Sequence, residues 1–199
     1  MNSLILTVLW AWTSVAHEPV NPVSPDSYHV RLSTTEGPVL VAVNREWAPH
    51  GADRFHALVS AGFYDDTTFF RVVKGFMAQF GLPGDPALSA TWRDKRIPDD
   101  PVVQSNTRGR LTFATSGPGG RTTQIFVNLA DNPSLDGQGF APFGEVVDGM
   151  DAIDKLFRRY GDAPPRGRGP SQSQIRAAGE AYLAEFPKLD RIVSATLEP

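Results

Sequence analysis

The sequence predicts a mainly β protein, a closed eight-stranded antiparallel barrel capped by two or three helices. Three observations carry that expectation. About eight short runs alternate apolar and polar residues with the period of a strand, against only two or three with helical period. Seventeen prolines and eighteen glycines punctuate the chain, which suits short strands joined by turns better than a helical bundle. A length of 199 residues, 41% of them hydrophobic, is enough for one domain with a sizeable core, and no repeat or internal boundary divides it.

Taken in order, the first element is not part of the barrel. "MNSLILTVLWAWTSVA" has an apolar run from Leu4 to Trp12 followed by Ser14-Val15-Ala16, the small-x-small pattern of a secretory cleavage site. The run falls well short of the roughly 20 residues of a spanning helix. Its leading residues include no Lys or Arg, and a buried first strand or helix is the competing reading. Residues 1–16 are therefore expected to direct export, and the mature chain is expected in the periplasm, secretory pathway or extracellular space. Residues 17–26 hold Pro19, Pro22 and Pro25 and read as an extended linker, leaving 27–199 as the domain.

Tyr28–Thr34 and Val39–Val43 alternate about a turn at Glu36-Gly37-Pro38, the pattern of a hairpin. Pro49 opens a helix whose Phe55, Leu58 and Val59 share a face and whose stop is Gly62. Phe69–Val73 and Phe76–Phe80 are two strands broken at Lys74-Gly75, and Leu82–Arg108 reads as a long loop. Further strands are expected at Leu111–Thr115, Gln124–Asn128, Phe143–Val147 and Ile192–Leu197, with helices near 150–158 and 171–186. In the last of these, Tyr182 and Phe186 are four apart and are expected to pack on each other.

Composition removes several kinds of chemistry. A net charge of −3 without a basic run gives no reason to expect a nucleic-acid partner. The absence of cysteine excludes disulfides, thiol nucleophiles, thiolate metal sites and a lipoprotein signal. His17, His29, His50 and His56 lack ligand spacing, and "DNPSLDG" lacks the remaining ligands of a calcium loop. Gly117–Gly120 lacks the Lys-Ser/Thr of a phosphate loop, and proline in Asn132-Pro133-Ser134 removes it as a glycosylation acceptor. No metal and no cofactor are expected.

What remains is "FFRVVKGFMAQFG", residues 69–81, an apolar run that nevertheless holds Arg71 and Gln79. Strand alternation puts Arg71 on one side of its strand and Met77 and Gln79 on one side of the next. If the two pair, all three project from one surface, while the other face, carrying Phe70, Val72, Phe76, Ala78 or Phe80 depending on the break at Gly75, fills the core. The other reading is an edge strand whose Arg71 and Gln79 simply face water, and the segment alone leaves both open.

This segment resembles the central motif of the cyclophilins, the peptidyl-prolyl cis–trans isomerases. "GRLTFATSGPGGRTTQIFVN" (109–128) and "LDGQGFAPFGEVVDGMD" (135–151) match further motifs of that family in the same order. The resemblance runs from about Tyr28 to Leu156 and takes in the final strand. It implies an enzyme that rotates X-Pro bonds in proline-containing polypeptides as a monomer without a cofactor, here assisting the folding of exported proteins. The barrier to such rotation is about 18–20 kcal/mol and comes from amide resonance, so it calls for no nucleophile, metal or redox group.

The same resemblance implies the site. Arg71 matches the arginine thought to stabilise the twisted amide, and Gln79 the glutamine that bonds the substrate backbone and positions it. Phe76 and Met77, with Phe126 and Leu135, match the apolar pocket for proline. Ala114 and the backbone of Thr115 match the strand along which the peptide lies. Two positions depart from many eukaryotic members: Ser134 stands where they have tryptophan, and Phe140 where they have histidine, in a loop one residue longer. The tryptophan accompanies tight binding of cyclosporin, which is therefore not expected here. The rival reading is a proline-segment-binding chaperone or assembly module, with a barrel carrying a small apolar ligand more distant. Residues 160–188 lie largely outside the matching motifs and have no functional account in the sequence.

Overall fold

The computed structural model describes residues 22–198, in which alternation and register produce one strongly curled antiparallel sheet. Its strands are β1 (Ser27–Thr34), β2 (Gly37–Asn44), β3 (Thr67–Thr68), β4 (Arg71–Val73), β5 (Met77–Phe80), β6 (Arg110–Phe113), β7 (Ile125–Asn128), β8 (Pro142–Asp148) and β9 (Arg191–Glu198). They lie in the order β3-β9-β1-β2-β8-β6-β7-β5-β4. The outermost two, β3 and β4, are halves of one segment bent at Phe69-Phe70, so the chain itself joins the two ends of the sheet. Counted as one strand, they give the eight of the sequence reading. The expected signal segment, residues 1–16, lies outside the described residues.

The hairpin shows why the curl is stable. Tyr28, Val30 and Leu32 of β1 and Val39, Val41 and Val43 of β2 all point inward, while the residues between them stay at least partly exposed. One core collects these with Phe55, Leu58, Phe80, Leu111, Phe113, Ile125, Val127 and Phe143. Each such side chain contributes about 1.5–3 kcal/mol by leaving water. Of the proline-rich segment, Ser24 is buried, and both its N–H and its hydroxyl donate to Asp53 Oδ1, each at 2.9 Å.

Helix α1 (Pro49–Ser60) caps one end of the barrel, its first turn solved by a distant residue. Ala48 at the N-cap has no side chain to offer the free amides of that turn. Asp100 supplies it instead, accepting from His50 N at 3.0 Å and Gly51 N at 2.9 Å. The same carboxylate pairs with Arg121 at 2.9 Å, both side chains being almost fully buried.

Three expectations need correction. Residues 82–108 are not all loop, since Pro86–Arg93 forms helix α2. Asp85 accepts from Ala87 N at 2.8 Å as its cap and Pro86 opens its first turn, so "GDP" marks a helix start and not only a bend. Helix α3 (Met150–Lys155) stops short of Arg158. The helix expected at 171–186 is two, α4 (Gln172–Ala178) and α5 (Glu180–Leu183), broken at Gly179. That residue takes φ +55° while pressed on the Gly84 carbonyl, which no side chain would allow. Tyr182 and Phe186 do pack, their rings 5.3 Å apart.

Removing Asp100 leaves Arg121 buried without its nearest counter-ion and α1 without its cap. Asp100→Ala is expected to lower stability by about 3 kcal/mol in urea unfolding. A loss below about 1 kcal/mol would show that the pair is dispensable.

Candidate active site

The register of three strands answers the puzzle of residues 69–81. Arg71 lies directly across from Gln79, and Gln79 from Phe126, while Val73 faces Met77. Residues opposite each other share a face, so this row points to one side of the sheet. The alternate residues Val72, Ala78, Phe80, Ile125 and Val127 go to the barrel core. Phe70 goes to neither side of that division and joins Leu82, Ile175 and Leu183 in a separate cluster.

On the outward face Met77, Phe126 and Leu135 are buried together, with Val73, Phe76, Ala114 and Phe140 packed around them. Phe140 meets Phe126 edge-on, ring centres 5.8 Å apart. Phe76 sits at the tight turn between β4 and β5, where its N–H donates to Val73 O at 3.0 Å. Ala114 follows β6 and still pairs through its N–H to Gln124 O at 2.9 Å. Thr115 turns its hydroxyl into the next loop, where it accepts from Gly117 N and donates to Gly117 O. All nine residues singled out in the sequence line one open groove of about 430 Å³.

Arg71 is half-buried at the centre of this groove, with its guanidinium carbon 5.9 Å from the Phe76 ring centre. Its Nη1 donates to Gln79 Oε1 at 3.1 Å, and Gln79 Nε2 donates in turn to Gln124 Oε1 at 2.9 Å. Its Nε and Nη2 donate to the two carboxylate oxygens of Asp162 at 2.9 and 3.0 Å. Burial works to raise the Asp162 carboxyl, but the Arg71 hydrogen bonds and charge outweigh it, and the group is held below the ordinary aspartate value. Three of the five guanidinium N–H bonds are thus committed. Among the described residues, one hydrogen on each Nη has no acceptor and is left to a ligand in the groove.

Sequence reasoning missed Asp162 and Gln124, and also Gln172 and Arg176 of α4, both of which line the groove. Gln124 had a signal, because it immediately precedes a strand whose Phe126 already belonged to the site. Asp162 had none, since it lies 91 residues from Arg71 in a segment without a motif.

A buried polar layer supports the apolar pocket from beneath. Asn106 is fully buried, and its Nδ2 donates to Phe140 O and Asp136 Oδ1, each at 2.8 Å. Its Oδ1 accepts from Thr112 at 2.9 Å. Asn132 Nδ2 donates to Phe76 O at 2.9 Å, tying the other wall to the same layer. Burial works to raise the Asp136 carboxyl, yet hydrogen bonds from Ser105 and Asn106 lower it overall.

A profile of the cyclophilin type peptidyl-prolyl cis-trans isomerase/CLD domain matches residues 29–177. The chain belongs to the cyclophilin family. It is 40% identical to peptidyl-prolyl cis-trans isomerase A of Dickeya dadantii over 136 residues, 65% of this chain and 71% of the relative. It is 34% identical to peptidyl-prolyl cis-trans isomerase B of Escherichia coli over 141 residues, 64% and 82% of the two chains. Among solved structures it resembles a cyclophilin type isomerase of Cryptosporidium parvum with a TM-score of 0.65. That match covers 87% of this chain and 98% of the other at 21% identity, and so concerns the fold. Cyclophilins are peptidyl-prolyl cis–trans isomerases that bind proline-containing peptides, and this chain is an enzyme of that class. No helix among its described residues is long and apolar enough to cross a membrane.

Two outcomes follow for the polar layer. Asn106→Ala leaves Phe140 O and the Thr112 hydroxyl without partners, and is expected to cost about 2 kcal/mol in urea unfolding. A neutral result would mean that the pocket wall holds without it. The lowered Asp136 carboxyl stabilises the fold fully above the ordinary value of 3.8, and that stability is lost as pH falls from there through its folded value. Urea midpoints between pH 5 and 3, about the aspartate value, are expected to fall less in Asp136→Asn than in wild type. An equal fall in both would contradict this linkage.

Proposed function

We propose that Arg71 accelerates prolyl isomerisation by binding the twisted amide better than either planar form. When the C–N bond rotates, resonance is lost and a lone pair localises on the proline nitrogen. A guanidinium beside it can hydrogen-bond that lone pair, and stays charged at every physiological pH. The arrangement is fixed before substrate arrives, so the interaction strengthens only as the transition state forms. Met77, Phe126, Leu135 and Phe140, with Phe76 beside them, hold the proline ring in this reading. Gln79 and the backbone along Ala114 and Thr115 hold the peptide while the rest of it turns.

The observation that carries the reading is the hydrogen on each Nη of Arg71 that has no acceptor among the described residues, in a groove that includes an apolar pocket. We also propose that the enzyme acts as a monomer. We also propose that the clients are exported polypeptides. The support is the apolar run Leu4–Trp12 with its Ser14-Val15-Ala16 site.

Arg71→Ala is expected to lower the cis-to-trans rate on a short X-Pro peptide by about 10²–10³-fold while the protein stays folded. Arg71→Lys is expected to recover little, because a point charge cannot keep both the Asp162 fork and the Gln79 bond. A wild-type rate in Arg71→Ala would overturn the role. Unimpaired suppression of client aggregation by that variant would favour the chaperone reading. For export, the mature protein recovered outside the cytoplasm is expected to begin at His17; an intact Met1 on a cytoplasmic protein would contradict it.

A further inference from the structure

We propose that Asp162 is a positioning residue for Arg71, and that the segment from Phe157 to Phe186 exists largely to hold it there. This rests on the role of Arg71 given above. A long arginine side chain at a groove surface samples many rotamers, whereas a two-point carboxylate contact fixes both its place and its plane. The pair with Asp162 uses Nε and Nη2, the edge of the guanidinium that faces away from Gln79. Gln79 restrains one nitrogen and Asp162 the other two, so the plane has no remaining freedom to swing out of the groove.

The loop is built around that aspartate. Arg168 N donates to Tyr160 O and Gly169 N to Asp162 O, each at 2.8 Å, closing the loop at its neck. Gly167 lies so close to the Asp162 backbone that any side chain there would run into it. The neck is anchored in turn by aromatic contacts. Tyr160 packs against Phe157 at 4.9 Å and Phe186 at 5.3 Å. Phe157 N donates to Asp190 Oδ2 at 2.6 Å, and Ser171 N to the Tyr182 hydroxyl at 3.0 Å. Beyond the loop, Ile175 and Leu183 from α4 and α5 bury themselves on Phe70, the residue next to Arg71. Both ends of the ion pair therefore sit on one packed unit. Among the described residues, the other basic partner of Asp162 is Arg166, at 3.5 Å and 81% exposed, which is no substitute for Arg71.

The test uses the full chain carrying Asp162→Asn, which keeps the shape of the side chain but removes the charge and one acceptor. Three readings are taken: kcat/KM on an X-Pro peptide, affinity for that peptide by NMR titration, and the Arg71 Nε–H resonance. The expected result is a fall in kcat/KM of about tenfold with affinity unchanged within about twofold, and a Nε–H signal weakened by faster exchange. In an Arg71→Ala background the same substitution is expected to change nothing further, which general damage to the fold would not mimic. A wild-type or raised kcat/KM in Asp162→Asn, a loss explained wholly by weaker binding, or a further loss on top of Arg71→Ala would each overturn the proposal. If Arg71→Ala itself turned over normally, the failure would lie in the role of Arg71 and not in its positioning.

Discussion

A guanidinium keeps its charge at any pH a cell presents, so lodging one beside Phe76 and Met77 is unfavourable unless its hydrogens find acceptors. Around Arg71 that requirement is met from two sides, by the Gln79 amide on the neighbouring strand and by the Asp162 carboxylate from a distant loop. Much of the rest of the molecule can be understood as what must be true for those two groups to be in place. The sheet must bring β4 and β5 into a register that sets Arg71 against Gln79. The C-terminal third must fold back across the groove to deliver Asp162.

The sheet meets its half of the requirement by having two apolar faces. Val72, Ala78 and Phe80 anchor the strands in the barrel, and Met77 and Phe126 build a smaller apolar site on the opposite side. A slip of one residue would exchange those faces and put Arg71 into the core, so burial enforces the register that the site needs. The asparagine layer of Asn106, Asn128 and Asn132 performs a similar service for the loop carrying Leu135 and Phe140, fixing it by hydrogen bonds where an apolar contact would be less directional.

How much of this the sequence discloses depends on whether the signal is local. Strand alternation in residues 28–43 reports burial directly, so the hairpin could be read without coordinates. In 71–80 it leaves a site row and a water-facing edge both open until the register of β4 on β5 decides. Helix α2 was obscured because Asp85-Pro86 serves equally as turn and as helix start, and only the Asp85 cap decides between them. The break at Gly179 comes from a close approach to Gly84, nearly a hundred residues away, which no local pattern encodes. The same holds for Asp162 and Arg71. Recurrent motifs carry Arg71, Phe76, Met77 and Gln79, whereas the partner that completes the arginine's hydrogen bonding sits in a stretch of glycine, proline and arginine that reads as a plain loop.

Catalysis by Arg71 requires the proline of a bound peptide to lie in the Met77–Phe126–Leu135 pocket with its nitrogen beside the guanidinium. A crystal structure of the protein with a short Ala-Pro peptide tests it most directly. The expected result is the ring in that pocket, an Nη hydrogen of Arg71 directed at the prolyl amide within roughly 3–3.5 Å, and the Asp162 pair intact. A peptide seated elsewhere in the groove, or an Arg71 that leaves Asp162 and turns away from the amide, would contradict it.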